Sequence, residues 1–139
     1  MEFNGDGMMA VFGAPEPLPD KERAALAVVR EIATAVPSLG GVEGKAEKIL
    51  VGVGIATGSA FVGTIQSADR LIWTALGNTI NLAARLQGLT RDLDAAIVID
   101  LATWRAAGET GADFVRREQV PIRGRQHRED VYVLPLKGS

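Results

Sequence analysis

Short apolar runs separated by glycine- and proline-rich breaks set out nearly the whole chain as alternating strands and helices. Near the start, Asn4-Gly5-Asp6-Gly7 stands between apolar stretches that end at Phe12. Asn-Gly favours a tight hairpin because both central residues of a type I′ turn need positive φ, so a β-hairpin with Asp6 at its tip is predicted. Residues 13–19 hold three prolines and read as a loop. Asp20 is placed to cap a helix running to about Val36. Ala25, Val28, Val29, Ile32 and Val36 recur in it at helical spacing, and Pro37 is the expected stop.

Residues 38–44 form a glycine-rich loop in this reading. Residues 48–56 and 59–63 read as a strand pair joined by a Thr57-Gly58 turn. The run from Ile49 to Ile55 is apolar on both faces, as in a central strand, and its glycines allow a helix or backbone to approach closely. A strand over residues 71–76 leads into a helix that opens at Gly77-Asn78 and continues to Leu89. Ile80, Ala83, Ala84 and Leu86 are its expected inward face. Residues 96–99 are a strand, Asp100 caps a short helix through Ala107, and Gly108 ends it. Residues 114–117 and 131–134 are late strands around a turn at 121–124. The alternation predicts an α/β (α+β) domain over residues 1–139, a mixed sheet with helices packed on one face.

Composition narrows the chemistry. With 139 residues, 47% hydrophobic and 23% charged, the chain is long enough to bury a core unaided and is neither disordered nor fibrous. It carries 15 basic and 17 acidic side chains, a net charge of −2, the wrong sign for a protein that grips nucleic acid phosphates. Without cysteine and with His127 as its one histidine, it cannot build a thiol nucleophile or a Cys/His zinc site. No signal peptide is visible, and no apolar run approaches the roughly 20 residues that span a bilayer. A cytoplasmic protein without membrane contact is expected.

Three features could carry chemistry. Asp6 is a hard oxygen ligand flanked by glycines, suited to Mg²⁺, although turn chemistry alone favours simple local hydrogen bonding. Asn81 and Arg85 are four residues apart and share a helix face, where an amide and a guanidinium could orient a sugar and stabilise phosphate charge. Taken alone, the pair reads as a solvated face. Arg116, Arg117, Arg123, Arg125 and Arg128 make the C-terminal third locally basic, with Glu118, Glu129 and Asp130 as partial offsets. Arg123, in Ile122-Arg123-Gly124, is the most suggestive triphosphate ligand among them. Gly52, Gly54, Gly58 and Gly63 fit neither a P-loop nor a dinucleotide fingerprint.

The order of these features resembles the catalytic domain of class III nucleotidyl cyclases. Phe3-Asn4-Gly5-Asp6-Gly7-Met8-Met9-Ala10-Val11-Phe12-Gly13-Ala14-Pro15 is similar to the family's second metal-binding segment. Val51-Gly52-Val53-Gly54-Ile55-Ala56-Thr57-Gly58 with Val62-Gly63 resembles its glycine-marked strands. The most specific block is Trp73-Thr74-Ala75-Leu76-Gly77-Asn78-Thr79-Ile80-Asn81-Leu82-Ala83-Ala84-Arg85-Leu86. The resemblance implies a ferredoxin-like, palm-type mixed sheet and a homodimer with active sites at the subunit interface. It also implies attack of a ribose 3′-oxygen on the α-phosphorus of ATP or GTP, assisted by two Mg²⁺ or Mn²⁺ ions.

By position, the resemblance makes Asp6 a metal ligand, Asn81 the ribose-orienting residue and Arg85 the transition-state arginine. Arg123 stands where a triphosphate lysine is usual, keeping the charge but trading a point donor for a planar fork. The two base-reading positions disagree. Thr74 suits adenine, whereas Glu2 is the guanylyl cyclase pattern, because a carboxylate accepts from guanine N–H groups. The expectation leans to ATP and cyclic AMP. The family's first metal-binding strand and its following helices precede the Gly-Asp hairpin, whereas here Met1 lies just before it. A partial cyclase domain, weakly active or inactive alone, is therefore the expectation. The alternatives are guanylate cyclase, a catalytically silent nucleotide-binding or dimerisation module, and a purely structural interaction domain.

Overall fold

A computed structural model describes residues 2–4, 7–13, 18–39, 51–67 and 70–135. The chain opens with the antiparallel pair β1 (Glu2–Asn4) and β2 (Gly7–Met9), in which Asn4 faces Gly7. The antiparallel pair that the sequence predicts is present, with Asn4 within the pairing instead of at a central turn position, while Asp6, the expected tip, lies outside the described residues. Helix α1 (Lys21–Leu39) follows, then β3 (Val53–Ile55), β4 (Phe61–Ser67), β5 (Arg70–Leu76) and α2 (Asn78–Asp92). The chain closes with β6 (Ala95–Asp100), α3 (Leu101–Ala107), a 3₁₀ turn (Gly108–Gly111), β7 (Val115–Val120) and β8 (Glu129–Pro135).

The organising element is a four-stranded sheet in the order β3-β6-β8-β7, with β3 parallel to β6 and the remaining pairs antiparallel. Helices cover both of its faces, not one. Leu82 and Leu86 of α2 pack on Val98, Val131 and Val133. On the other face, Leu26 and Val29 of α1 and Ala107 of α3 pack on Ile97, Ile99 and Tyr132. The cause is in β6 itself: Ile97, Val98 and Ile99 are all fully buried, so the strand needs an apolar partner on each side. Trp104 completes the α3 side by stacking on Tyr132, with ring centroids 4.3 Å apart, while its indole N–H donates to the Gly111 carbonyl.

Several sequence expectations change. Strands β3 and β4 are not a pair: β3 lies beside β6, and β4 pairs along its whole length with β5. Thr57-Gly58 is therefore a connection between two sheets. Among the described residues β3 has one strand neighbour and is half-buried, so it is not central. Helix α1 continues through Pro37 to Leu39, so Pro37 lies in its last turn and is not its stop. The buried face of α1 runs through Glu22, Ala25, Leu26 and Val29, and Val28 is exposed. Asp20 does start the helix, its carbonyl accepting from Ala24 N–H at 3.0 Å. In α2 the buried stripe is Leu82, Leu86 and Thr90, Ala84 faces solvent, and the helix passes Gly88 to end at Asp92. Most of the 38–44 loop lies outside the described residues.

The seat of α2 on the sheet depends on two glycines. A Cβ on Gly54 would come within 3.0 Å of Gln87 N and Ala83 O, both helix backbone, and one on Gly52 would meet the Thr90 side chain. Strand and helix backbones are thus in direct contact, which no other residue permits. Gly54→Ala is expected to cost about 1–3 kcal/mol or more through overpacking. Gly88→Ala, with nothing within 4 Å of the new methyl, is expected to add up to about 1 kcal/mol. Urea denaturation of the two variants checks both signs.

Two carboxylates tie α1 to the rest of the domain. Burial pushes the Glu22 carboxyl up, but the Lys21 ammonium 2.9 Å away, the Glu22 backbone N–H and the Thr57 side chain outweigh it and hold it below the ordinary 4.5. Hydrogen bonds from Arg30 at 2.6 and 2.9 Å hold Asp113 below its ordinary 3.8 against its desolvation. A depressed carboxyl stabilises the folded state fully above its unfolded pKa and loses that contribution as pH falls through the folded value. Stability is therefore expected to be flat from pH 7 to about pH 5 and to fall below about pH 4.5. In denaturation series, Glu22→Gln and Asp113→Asn should each flatten that acid limb.

Candidate functional site

Asn81 and Arg85 each immediately precede a buried leucine, Leu82 and Leu86, on α2. One residue is about 100° of helix rotation, so both side chains leave the flank of the buried stripe and are exposed. The glycine seat of α2 therefore fixes where this amide and this guanidinium stand relative to the sheet.

The partner segment comes from the connection between β7 and β8. Ile122 is buried in the α2-side core, and its carbonyl accepts from Arg125 N–H at 3.1 Å, closing a turn with Arg123 and Gly124 at its centre. Gly124 has φ +85, the positive value that the third residue of a type II turn requires. The Arg85 guanidinium lies against this turn: its Nη2, Nε and Cζ are 3.5, 3.7 and 3.9 Å from where a Gly124 Cβ would stand. Two guanidinium-bearing residues, 38 positions apart in sequence, thus reach the same loop. Neither Arg85 nor Arg123 forms an ion pair among the described residues.

Two other arginines of the basic third are spent differently, whereas Arg117 and Arg128 form no ion pair among the described residues. Arg116 pairs with Asp130 at 2.5 Å and with Glu118 at 3.8 Å, and Arg125 pairs with Glu129. Hydrogen bonding to Asp130 raises the Arg116 pKa, and the same contact lowers that of Asp130. These pairs secure the β7–β8 ribbon, where Gln119 N–H also donates to Asp130 at 3.0 Å across a bulge. The expected cluster of free cations is therefore narrower than the composition suggests.

The remaining candidates are placed only in part. Glu2 stands on β1 opposite Met9, and Thr74 on β5 opposite Gly63, close in sequence to the start of α2. Asp6 lies outside the described residues. Among those residues no three His, Cys, Asp or Glu side chains form a metal-holding group. The donor set for a pair of divalent ions is not laid out there. One of two further contributors escaped the sequence. Gly124 was readable as turn chemistry, whereas Thr79, which donates to the Ser59 carbonyl at 2.7 Å, gave no signal beyond its place near a helix start.

The profile of the adenylate and guanylate cyclase catalytic domain matches residues 1–135. The chain belongs to that family. Among relatives of this cyclase chain, the terminal-differentiation-specific adenylate cyclase of Dictyostelium discoideum is 30% identical over 136 residues, 94% of this chain and 6% of that protein. The uncharacterised protein Rv1319c of Mycobacterium tuberculosis is 33% identical over 126 residues, 90% of this chain and 22% of its own length. The chain thus spans about a fifth, or less, of these relatives. Solved cyclases share the fold. The adenylyl cyclase CyaB from P. aeruginosa superposes with TM-score 0.71 at 22% identity, covering 88% of this chain and 63% of that one. The guanylyl cyclase Cya2 gives TM-score 0.67 at 27% identity over 99% and 70% of the two chains. No described helix of the cyclase chain is long and apolar enough to cross a membrane.

Gly124→Ala should separate turn geometry from charge in this site. A non-glycine residue at φ +85 costs about 1–2 kcal/mol, while the added methyl makes only ordinary contact with Arg85. The expected outcome is a folded chain, by circular dichroism, whose affinity for a nucleoside triphosphate falls several-fold with every arginine intact.

Proposed function

We propose that this cyclase domain converts ATP to 3′,5′-cyclic AMP and diphosphate, working in the cytoplasm as a homodimer with its sites at the subunit interface. The observation that carries the reading is the Arg85 guanidinium lying against the Arg123-Gly124 turn, with no carboxylate partner for either arginine among the described residues. A guanidinium without a carboxylate partner, set against a turn that carries a second arginine, is suited to a polyanion, and the planar fork of arginine matches phosphate oxygens.

In the reaction, the ribose 3′-oxygen forms a bond to the α-phosphorus while the bond from that phosphorus to the bridging oxygen breaks. The 3′-hydroxyl proton passes to solvent water and diphosphate leaves. Asn81 orients the ribose so that the 3′-oxygen is in line with the leaving group. Arg85 meets the negative charge that develops around the α-phosphorus, and Arg123 holds the β- and γ-phosphates that depart. Mg²⁺ or Mn²⁺, held in part by Asp6, would supply charge neutralisation and a more acidic 3′-hydroxyl. Thr74, whose hydroxyl can accept from the adenine amino group, supports ATP. Glu2 favours guanine by accepting from its N–H groups and supports guanylate cyclase as the second reading.

A binding and product assay with Mn²⁺ and either ATP or GTP, resolved by chromatography, tests the reading. Arg85→Ala and Arg123→Ala should each weaken nucleotide binding or turnover about 10- to 100-fold, the range for losing a charge-assisted hydrogen bond. Asn81→Ala should lower kcat more than it raises KM. Cyclic AMP is the expected product, and cyclic GMP instead would transfer base selection to Glu2. Tight binding without product, with Asn81→Ala also without effect, would make the chain a silent nucleotide-binding module. Wild-type binding by both arginine variants would overturn the site.

A further inference from the structure

Helix α2 begins without a side-chain cap. Gly77, at φ 133, provides no such hydrogen bond, although helices usually start on Ser, Thr, Asp or Asn. The first turn is instead fastened sideways. Thr79, the second residue of the helix, donates its hydroxyl to the Ser59 carbonyl at 2.7 Å, and the same hydroxyl lies 2.6 Å from the position of a Gly58 Cβ.

Residues 57–59 are held from their opposite side as well. Thr57 N–H donates to Asp100 Oδ2 at 3.3 Å, and the hydroxyls of Thr57 and Thr103 are 2.8 Å apart. Asp100 is the N-cap of α3, its Oδ1 accepting from Thr103 N–H at 3.0 Å and from the Thr103 hydroxyl at 2.5 Å. One carboxylate therefore caps a helix with one oxygen and grips the chain leaving β3 with the other. Across that segment, a threonine binds the start of the helix bearing Asn81 and Arg85.

We propose that Thr79 and Asp100 are positioning residues which, through residues 57–59, fix the start of α2 and so the place of Asn81. Neither touches the proposed reacting groups, and the proposal rests on the reading of Asn81 as the residue that orients the ribose. Thr79 and Ser59 are outside the core, so their bond adds little to global stability, but it lies two residues from Asn81. A displacement of about 1 Å in such a group is worth on the order of 10²-fold in rate.

The test compares Thr79→Val, Thr79→Ser, Asp100→Asn and the double variant carrying both Thr79→Val and Asp100→Asn, all in the full chain. The first readout needs no nucleotide: exchange of the Asn81 backbone amide, which donates to the Gly77 carbonyl at 3.1 Å. Thr79→Val should speed it about fivefold, the equivalent of one hydrogen bond, and Thr79→Ser should restore it. Asp100→Asn should speed it too, while the Val98 and Ile99 amides of the core keep their rates. The double variant should be no faster than Thr79→Val alone, because both changes act through one segment. An unchanged Asn81 amide in Thr79→Val, or equal acceleration of core and Asn81 amides in Asp100→Asn, would overturn the proposal. The second readout is cyclase kinetics with Mn²⁺: Thr79→Val should lower kcat about tenfold with KM within about twofold, again rescued by serine. A wild-type chain that neither binds nor turns over nucleotide would remove the site reading, and amide exchange would still decide whether the linkage exists.

Discussion

The contact between the backbones of β3 and α2 is the constraint on which the rest of the domain depends. Gly54 places a strand directly against the peptide groups of Ala83, Leu86 and Gln87, and Gly52, just before that strand, lies against the Thr90 side chain. At that separation the helix has almost no freedom to slide or roll. Leu82 and Leu86 must then face Val98, Val131 and Val133, and the residues just before those leucines must stand at the rim. Asn81 and Arg85 owe their positions to a contact in which they take no part.

Charge is arranged to leave that rim free. Two arginines of the β7–β8 ribbon are paired within it, Arg116 with Asp130 and Arg125 with Glu129. Such exposed pairs contribute little energy, yet they leave Glu129 and Asp130 already partnered, and neither carboxylate pairs with Arg85 or Arg123 among the described residues. Ile122, sunk in the core beside them, gives the Arg123 turn a fixed point of departure. The arrangement suits the proposed reaction on a nucleoside triphosphate, in which positioning and charge do most of the work.

A second network joins the layers from the opposite side. Asp100, Thr57 and Thr103 link the ends of β6 and β3, and Glu22 brings the first turn of α1 to the same place. The start of α2 is thus held through polar contacts near the ends of the strands and through apolar and glycine contacts along its length. The two kinds of contact act at different places: packing holds the body of the helix, and the Thr79–Ser59 hydrogen bond holds its first turn.

Sequence alone determined the elements and the family. The opening antiparallel pair, Asp100 as a cap, Gly108 as a stop and the close approach at Gly52 and Gly54 are local statements, readable from turn chemistry and periodicity. Asn81 and Arg85 sharing a face follows from helical spacing. Tertiary structure decided what no local pattern can hold. A strand's sequence reports that its faces are apolar but not which edge it joins, so β3 went to β6 and β4 to β5. The apolar run of β6 announced burial without announcing two helical layers. The meeting of Arg85 with Gly124 depends on loop closure over the 38 residues between them, and the Thr79–Ser59 bond depends on two sheets meeting at one connection. Periodicity encodes which side of an element is buried; the partner is chosen only when the whole chain packs.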